Sequence, residues 1–268
     1  MTTKKINNNF DDLSILILSC DKYSDLWPYF AFFFDKYWLD CPCPIYLFSN
    51  EKDFKHQNIK NIKTGKFIDW STNLLKGLEQ VKTKNVLILL EDELLDKTIN
   101  NKEFQKTYVN LKNNCFNHCQ IKSNVDYPRD SIIKNNLGII NKGMPYSANV
   151  IGFWNKDFLE KTLIAGESPW NFEIMGSYRV SYSDGIYFLP DSFYHAINGV
   201  GKGEWFSEAV TFCEKHGLII DETKRKIKRG NSQLKQSFQD TVFSLVRSIN
   251  WRKRVRLMNT LRKLFVSY

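Results

Sequence analysis

The sequence lacks the features that mark membrane-spanning, secreted and zinc-binding proteins. No stretch reaches the ~18 apolar residues that cross a bilayer. The N-terminus, MTTKKINNNFDD, has no apolar segment after its lysines, so no secretory signal is predicted. The six cysteines do not have the spacing of a four-ligand zinc site. We therefore expect an intracellular chain with reduced thiols.

Acidic residues are almost absent from the C-terminal part of the chain. Residues 224–268 contain 13 lysines and arginines and one acid, Asp240, whereas the rest of the chain has 25 basic and 28 acidic residues. Apolar residues recur at helical spacing from Leu234 to Phe265. A basic amphipathic helix of this kind is typical of contact with an anionic bilayer surface. A helix that packs on the body or on a partner is the alternative, and nucleic-acid binding is a third possibility.

The body contains no internal repeat and no low-complexity linker. The whole chain has 268 residues, of which 43% are hydrophobic and 15% aromatic, and this suits one large domain plus an appendage. We therefore predict a catalytic domain over residues 1–223 and a basic amphipathic helical tail over residues 224–268. The partner expected for the tail is an anionic membrane surface, and we expect no nucleic acid.

Residues 85–93, NVLILLEDE, are the stretch around which the chain is organised. A continuous apolar run leads directly into Glu91, Asp92 and Glu93. Such a run is typical of a strand buried on both faces, and ligands bind beyond the carboxyl ends of such strands. Three acids there are costly unless a cation or a proton neutralises them. The pattern favours a metal–diphosphate site, and a solvated loop is the alternative.

Other segments alternate between strand and helix patterns. Strands are predicted at residues 14–19, 45–49, 66–70, 114–123, 148–154 and 186–189. Helices are predicted at residues 26–38, 73–81 (with Ser71 as N-cap), 98–112 and 156–164. This alternation predicts an α/β fold with a mainly parallel sheet flanked by helices. Residues 124–145 are polar and irregular, and we expect them to form a loop beside the substrate.

A second segment, HAINGVGKGEW at residues 195–205, combines a histidine, glycines and a lysine. Glycines such as Gly199 and Gly201 let a backbone approach a phosphate, and Lys202 could neutralise it. His195 is a possible metal ligand. The alternatives are a flexible loop and a hydrogen-bonded core histidine.

A third segment, PWNFE at residues 169–173, places Glu173 beside bulky aromatic residues. A partly desolvated glutamate can act as a general base, and aromatic faces suit sugar rings. Glu167 is the competing acid, although a carboxylate at a helix N-terminus is favoured by the helix dipole alone. Ser168 can cap this helix, and Pro169 can take its first position.

Taken together, SILILSCDKYSDLW, VLILLEDE, PWNFE and HAINGVGKGEW resemble motifs of GT-A-type nucleotide-sugar glycosyltransferases that build bacterial capsule, O-antigen or lipooligosaccharide. The resemblance covers residues 13–220. HAINGVGKGEW is similar to the H-x-x-G-x-x-K-P-W signature of lipooligosaccharide galactosyltransferases, but it is one residue longer and has Gly203 in place of proline. The acid cluster takes the place of a D-x-D motif.

The resemblance implies a GT-A fold and transfer of a hexose from a nucleotide diphosphate sugar, a UDP-sugar, to a hydroxyl of a lipid-linked surface glycan. It implies a divalent cation, Mn²⁺ or Mg²⁺, bound by Glu91, Glu93 and His195. Glu173 would be the catalytic base and would give inversion, whereas the H-x-x-G pattern belongs to retaining enzymes. The enzyme would lie in the cytoplasm, on the inner face of the bacterial membrane.

The nucleotide-sugar donor would be bound by residues of three segments. Lys202 would also act in catalysis by stabilising the charge of the leaving diphosphate, and Asp92 would touch the ribose or the metal. The implied donor-binding residues are Ser19, Asp21, Tyr23, Asp92, Gly199, Gly201 and Lys202.

Two other functions stay open. A sugar nucleotidyltransferase shares the α/β sheet, but it usually has a glycine-rich loop after the first strand, where this chain has Ser19–Lys22 and no glycine. A non-enzymatic protein that binds a membrane surface or nucleic acid through its basic tail is the second alternative.

Overall fold

The computed structural model of the chain describes residues 10–122, 132–133, 136–144, 146–228, 249–250, 253, 256–257 and 260. The strands in this part are β1 (Leu13–Leu18), β2 (Ile45–Ser49), β3 (Ile59–Lys63), β4 (Asn85–Leu90), β5 (Glu93–Leu95), β6 (His118–Gln120), β7 (Ile132–Ile133), β8 (Leu137–Ile139), β9 (Gly152–Asn155), β10 (Ile186–Phe188), β11 (Ala196–Asn198), β12 (Val200–Gly201), β13 (Glu204–Phe206) and β14 (Ile227–Lys228). The helices are α1 (Trp27–Trp38), α2 (Trp70–Leu78), α3 (Asn101–Asn113), α4 (Lys156–Thr162), α5 (Pro169–Asn171), α6 (Ser177–Val180) and α7 (Ser207–Lys215), with a 3₁₀ turn at Asp21–Tyr23 and a π-helical turn at Phe172–Gly176.

A central sheet has the strand order β3-β2-β1-β4-β9-β6-β10-β8-β7. β3, β2, β1 and β4 are parallel neighbours, and β10 runs parallel to β6. β9 is antiparallel to both of its neighbours, and β8 and β7 form antiparallel pairs at the end of the sheet. The predicted mixed, mainly parallel α/β sheet flanked by helices is therefore confirmed.

The continuous apolar run of β4 is explained by the two hydrophobic clusters that cover the sheet. Leu87 and Leu89 belong to one cluster, which includes residues of α1, α3 and α7. Val86 and Ile88 belong to the other, which includes residues of α2 and α4. Because successive side chains of a strand point to opposite faces, a strand covered on both sides must be apolar throughout. The prediction of a strand at this position is confirmed.

Two predictions around α2 are wrong. No strand forms at residues 66–70; the strand before α2 is instead β3, whose alternating sequence IKNIK lies at the edge of the sheet. The N-cap is Asp69, whose carboxylate accepts a hydrogen bond from the N–H of Thr72, and not Ser71. Ser71 lies inside the first turn and donates its hydroxyl proton to the carbonyl oxygen of Ile164 at 2.6 Å.

Two small sheets lie beyond the end of β4. β5 pairs antiparallel with β11, and Asn198 lies opposite Glu93. β13 pairs with β12 on one side and with β14 on the other. The 195–205 segment is therefore fixed directly against the acid cluster. Neither small sheet was predicted, because strands of two or three residues carry almost no hydrophobic periodicity.

The C-terminal tail is only partly described. The prediction of an amphipathic helix falls mostly on residues 229–268, of which 249–250, 253, 256–257 and 260 alone are described. Trp205 pairs with Ile227, so β14 contacts the body, and the boundary after residue 223 stays a prediction. Among the described residues, no helix combines the length and the apolar character that a bilayer span requires. The loop prediction for residues 124–145 is wrong where the chain is described, at 132–133 and 136–144, because β7 and β8 form there and extend the central sheet. Each of the six cysteines is described and carries a free thiol.

Candidate active site

The acid cluster begins where β1 and β4 end side by side, with Leu18 opposite Leu90. Glu91 is 8% exposed, and the hydroxyl of Ser19 lies within hydrogen-bond distance of its carboxylate. Burial, and then the neighbouring charge of Asp92, raise the pKa of Glu91 well above its ordinary value. Ser19 in turn accepts a hydrogen bond from the Trp27 indole at 2.7 Å. The structure therefore brings the predicted residues Ser19 and Glu91 together.

Glu93 is neutralised by a lysine that the sequence reasoning missed. The Lys122 ammonium lies 2.6 Å from the Glu93 carboxylate and also donates to the carbonyl oxygen of Ala196 at 3.1 Å and to the Asn198 side chain at 2.5 Å. Burial raises the pKa of Glu93, and the charge of Lys122 opposes that rise. Three hydrogen bonds use the whole donor capacity of the ammonium. Lys122 therefore ties β5, β11 and the end of β6 together.

Asp92 lies between these two acids and is partly exposed. Burial, and then the charge of Glu93, raise its pKa to about 7. Its carbonyl oxygen accepts the N–H of Gly199 at 2.6 Å. The buried hydroxyl of Tyr194 is close enough for the charges of Glu93 and Asp92 to raise its pKa further, after burial itself. That hydroxyl has no hydrogen-bond partner among the described residues, so it is a donor that a ligand could use.

The predicted metal ligands are not assembled around one point. His195 is exposed, and its carbonyl oxygen accepts a hydrogen bond from the N–H of Asp96 at 3.3 Å. Glu93 is occupied by Lys122. Within the described part of the chain, no three histidine, cysteine, aspartate or glutamate side chains are grouped to hold a metal. Glu91, Glu93 and His195 therefore do not form the predicted metal site.

The glycine–lysine segment forms a tight hairpin. Lys202 (φ 53°) and Gly203 (φ 84°) are the two residues that connect β12 to β13. Two consecutive positive φ values are typical of a type I′ turn, which favours glycine and excludes the proline of the related signature. Lys202 is exposed and has no ion-pair partner among the described residues.

The two other glycines are required by close packing. A Cβ atom on Gly199 would lie 3.0 Å from the carbonyl oxygen of Asp92, and one on Gly201 would lie 2.2 Å from the ring of Phe206. These contacts explain the glycines without a phosphate. The diphosphate roles of Gly199, Gly201 and Lys202 stay predictions.

Asp21 bridges the loops that follow β1 and β2. Its carboxylate accepts the backbone N–H groups of Asn50 at 2.9 Å, Glu51 at 3.0 Å and Lys52 at 3.1 Å. The Asn50 side chain accepts the N–H of Asp21 in return. Because the carboxylate is engaged by the backbone, Asp21 shapes the wall of the site, and its contact with a donor stays a prediction.

Arg225 is a second cation that the sequence reasoning missed. It is 7% exposed, and it contacts both carboxylate oxygens of Asp25 at 3.0 Å. Its guanidinium lies 4.8 Å from the centre of the Tyr23 ring, and it also donates to the carbonyl oxygen of Gly203. The charge of Arg225 lowers the pKa of Glu91, against the larger effect of burial. Tyr23 therefore lies between a buried cation and the acid cluster.

Glu173 lies on the π-helical turn that continues α5. Ser168 caps α5 by accepting the N–H of Asn171, and Pro169 occupies its first position, as predicted. Burial raises the pKa of Glu173 to about 7, and a hydrogen bond from the N–H of Val150 opposes the rise. No cation contributes to this shift. Glu173 is therefore a carboxyl group poised to exchange a proton near neutral pH.

Glu167 has a different environment, although it lies only six residues earlier. Both of its carboxylate oxygens accept hydrogen bonds from Arg179, at 2.8 and 2.6 Å. Arg179 also donates to the carbonyl oxygen of Thr162 at 2.7 Å. A bidentate pair of this kind fixes the carboxylate in place. Glu167 therefore stabilises the local structure, and Glu173 is the better candidate for a base.

One loop connects the acid cluster to Glu173. Asn149 donates its side-chain amide to the carbonyl oxygen of Lys122 at 3.2 Å, and the next residue, Val150, donates its N–H to the Glu173 carboxylate. The two acidic groups therefore lie on either side of this loop, near the carboxyl ends of β4 and β6. This is the edge at which ligands bind in α/β sheets.

Comparisons with known proteins give distant likenesses. The chain matches no protein-family model and no curated protein. Among solved structures, it is similar to S. aureus TarS 1–349 in complex with UDP-GlcNAc, with 13% identity and a TM-score of 0.48 over 71% of this chain and 60% of that one. The longer S. aureus TarS structure gives 12% identity and a TM-score of 0.45 over 70% of this chain and 37% of that one.

A cytidylyltransferase from Leptospira borgpetersenii serovar Hardjo-bovis is also similar, with 12% identity and a TM-score of 0.42 over 82% of this chain and 99% of that one. The chain spans 37% to 60% of the length of these two TarS structures. Likenesses at this level do not decide between the two enzyme classes, and the assignment of the fold rests on the strand order itself.

Proposed function

We propose that this chain is a glycosyltransferase that moves a hexose from a nucleotide diphosphate sugar, a UDP-sugar, to a hydroxyl of a lipid-linked surface glycan. The observation that carries the proposal is Glu173, a desolvated carboxyl group with a pKa raised to about 7 and no cationic partner. It lies across one loop from an acid cluster at the carboxyl edge of the sheet. This arrangement suits a base on one side of a site and a donor on the other.

In the proposed reaction, the Glu173 carboxylate takes the proton of the acceptor hydroxyl while the acceptor oxygen attacks the anomeric carbon. The bond from that carbon to the diphosphate oxygen breaks, and UDP leaves with the bonding electrons. Attack from the side opposite the diphosphate gives inversion. A base with a pKa near the working pH is effective in this role, and general base catalysis contributes on the order of 10²–10⁴ in rate.

The donor would lie between the end of β1 and the β12–β13 hairpin. Tyr23 and Ser19 border this region, and the unpartnered hydroxyl of Tyr194 offers a hydrogen bond. Lys202 would approach the diphosphate, because its charge is exposed at the hairpin tip. Stabilising the charge on a leaving group contributes on the order of 10²–10³ in rate per key group. No step is assigned to a divalent cation, since Glu91, Glu93 and His195 are not grouped to hold one.

The acceptor and the location are proposed from the charge of the tail. Thirteen basic residues against one acid in residues 224–268 would hold the enzyme at an anionic lipid surface. A lipid-linked acceptor on the cytoplasmic face of a bacterial membrane is available to an enzyme held there.

A ligand screen on the full chain tests the proposal. We expect UDP to raise the melting temperature more than GDP, CMP or CTP, because only a ligand that binds the folded state stabilises it. Each nucleotide is tested with and without Mn²⁺, which also tests the predicted cation. Lys202→Asn is a matched variant, since Asn-Gly suits a type I′ turn and only the charge is lost.

Two outcomes would contradict the proposal. If all nucleotides raised the melting temperature equally, or if no nucleotide raised it, the chain would have no donor site selective for UDP. Release of pyrophosphate from CTP in the presence of a sugar would favour nucleotidyl transfer. We expect Lys202→Asn to weaken UDP binding by roughly tenfold while its own melting temperature stays unchanged.

A further inference from the structure

Arg225 joins two segments that are far apart in the chain. Its guanidinium donates to both carboxylate oxygens of Asp25 at 3.0 Å, in the loop between β1 and α1. It also donates to the carbonyl oxygen of Gly203 at 3.0 Å, in the turn of the β12–β13 hairpin. A guanidinium carries its donors in a rigid planar fork, so one side chain can bind a carboxylate and a carbonyl oxygen together. Arg225 therefore fixes the hairpin relative to the loop after β1.

The backbone around Arg225 is held on both sides. After it, β14 pairs with β13, and the carbonyl oxygen of Lys226 accepts the N–H of Trp205 at 2.8 Å. Before it, the carbonyl oxygen of Ile219 accepts the hydroxyl of Tyr29, on α1, at 2.7 Å. Residues 219–228 therefore connect α1 to the hairpin and place Arg225 between them.

The neighbours of Arg225 are residues assigned to the nucleotide-sugar site. The centre of the Tyr23 ring lies 4.8 Å from the guanidinium, and Lys202 lies in the hairpin turn that the guanidinium contacts. Burial raises the pKa of Glu91 and of Asp92, and the charge of Arg225 opposes both rises. Arg225 itself is 7% exposed and is held in contacts within the protein. It would therefore act on a bound nucleotide through these neighbours.

We propose that Arg225 is a positioning residue for the nucleotide sugar: it holds the β12–β13 hairpin so that the Lys202 ammonium meets the diphosphate beside Tyr23. This inference rests on the proposed function, because UDP is the ligand that it concerns. Lys202 is exposed and has no ion-pair partner in the part of the chain that the structure describes. A long side chain loses conformational entropy when it binds, and a backbone that is already fixed reduces the total loss.

The chain contains a second arginine with a matching set of contacts. Arg179, on α6, donates to both carboxylate oxygens of Glu167 at 2.8 and 2.6 Å and to the carbonyl oxygen of Thr162 at 2.7 Å. Its guanidinium lies 6.0 Å from the centre of the Phe172 ring. Loss of either arginine leaves a carboxylate without its cation, but only loss of Arg225 should change UDP binding. Arg179 is therefore the matched control.

Titration calorimetry of UDP on the full chain is the first test. We expect Arg225→Met to weaken UDP binding on the order of tenfold, whereas Arg179→Met should bind UDP like the native chain. Both variants should melt at a lower temperature than the native chain. Arg225→Lys keeps the charge and loses the fork, so it should fold better than Arg225→Met and still bind UDP more weakly than the native chain.

A double-mutant cycle with Lys202→Asn gives a readout that a loss of stability does not move. In the native chain and in Arg179→Met, Lys202→Asn should weaken UDP binding by roughly tenfold. In Arg225→Met it should weaken binding little further, because Lys202 has already lost its position. Independent roles would instead give additive losses, on the order of a hundredfold for the double variant.

Hydrogen exchange of the amides of residues 199–206 tests the hairpin without any nucleotide. We expect faster exchange in Arg225→Met than in the native chain or in Arg179→Met. Unchanged exchange, native UDP affinity in Arg225→Met, or additive losses in the cycle would overturn the proposal. A native chain that binds no UDP would refute the proposed function and the inference with it, and that result would appear before any variant is compared.

Discussion

The acid cluster at the end of β4 and the Glu173 turn both bury carboxyl groups, but they compensate for that burial differently. The Lys122 ammonium lies 2.6 Å from the Glu93 carboxylate, and the charge of the buried Arg225 lowers the pKa of Glu91. Glu173 has a single backbone N–H, from Val150, and no cation. Because no cation compensates for its burial, the ionised form of Glu173 is disfavoured and its pKa is raised.

The difference separates a structural role from a chemical one. Lys122 uses all its donors to join β5, β11 and the end of β6, so the charge pair at Glu93 fixes the shape of the site. A carboxyl group left near neutral pKa can take and release a proton, which a paired carboxylate does poorly. Glu167, held by Arg179, shows the structural case in the same segment as Glu173.

The largest expected effect is on turnover. Glu173→Gln keeps the shape of the side chain but removes the proposed base, so we expect kcat for sugar transfer to fall by on the order of 10²–10⁴. Release of UDP from a UDP-sugar in the presence of a lipid-linked acceptor measures it. The matched variant is Glu167→Gln, which loses an ion pair and should keep its turnover per folded molecule.

The reverse pattern would break the comparison. If Glu167→Gln abolished transfer while Glu173→Gln remained near normal, the base would be Glu167 and the Arg179 pair would be part of the chemistry. UDP affinity of Glu173→Gln serves as a control, because removing a base should leave donor binding intact.

The next effect is on stability. Lys122→Met removes the partner of a buried carboxylate, and we expect the free energy of unfolding to fall by about 3 kcal/mol. Adding Glu93→Gln to Lys122→Met should recover part of this loss, since the uncompensated charge is gone. Urea unfolding of the single and double variants measures both. If Lys122→Met cost nothing, Lys122 would be a ligand-binding residue and not a tie between strands.

Much of the fold could be predicted from the sequence, because long elements carry strong periodic signals. The runs of β1, β2 and β4 contribute to both hydrophobic clusters, and the aromatic α1 contributes to one of them. The strand predicted at residues 66–70 was wrong because Phe67 and Ile68 are exposed, and an apolar pair alone does not distinguish a strand from a surface. The short strands β5 and β11 depend on pairing with each other across a long stretch of chain, which one sequence does not show.

The site could be predicted only in part. The resemblance implied that Glu91–Glu93 and the 195–205 segment lie together, and β5 does pair with β11. The metal ligand set that it also implied is not assembled among the described residues. The sequence reasoning missed Lys122 and Arg225, whose partners lie 29 and 200 residues away in the chain. A lysine two residues after β6 was the available signal for Lys122. The resemblance already implied Glu173 as the base in preference to Glu167. The pair of Glu167 with Arg179, which only the folded structure shows, supports that choice.

The pH dependence of stability sharpens the comparison. Burial raises the pKa of Glu173 from its ordinary 4.5 to about 7 in the folded chain. Below pH 4.5 both the folded and the unfolded chain carry the proton. As the pH rises towards 7 the unfolded chain releases it first, so the native protein loses about 3 kcal/mol of stability relative to Glu173→Gln across this window.

Urea unfolding from pH 4.5 to pH 8 measures this difference between the two proteins. The variant should gain on the native chain as the pH rises and reach a plateau above about pH 7, where the folded carboxyl has also ionised. Glu79→Gln, at the exposed end of α2, controls for the loss of a solvated charge and should show no such gain. A constant difference between Glu173→Gln and the native chain would mean that the carboxyl is solvated, and the contrast with the compensated acids at β4 would then vanish.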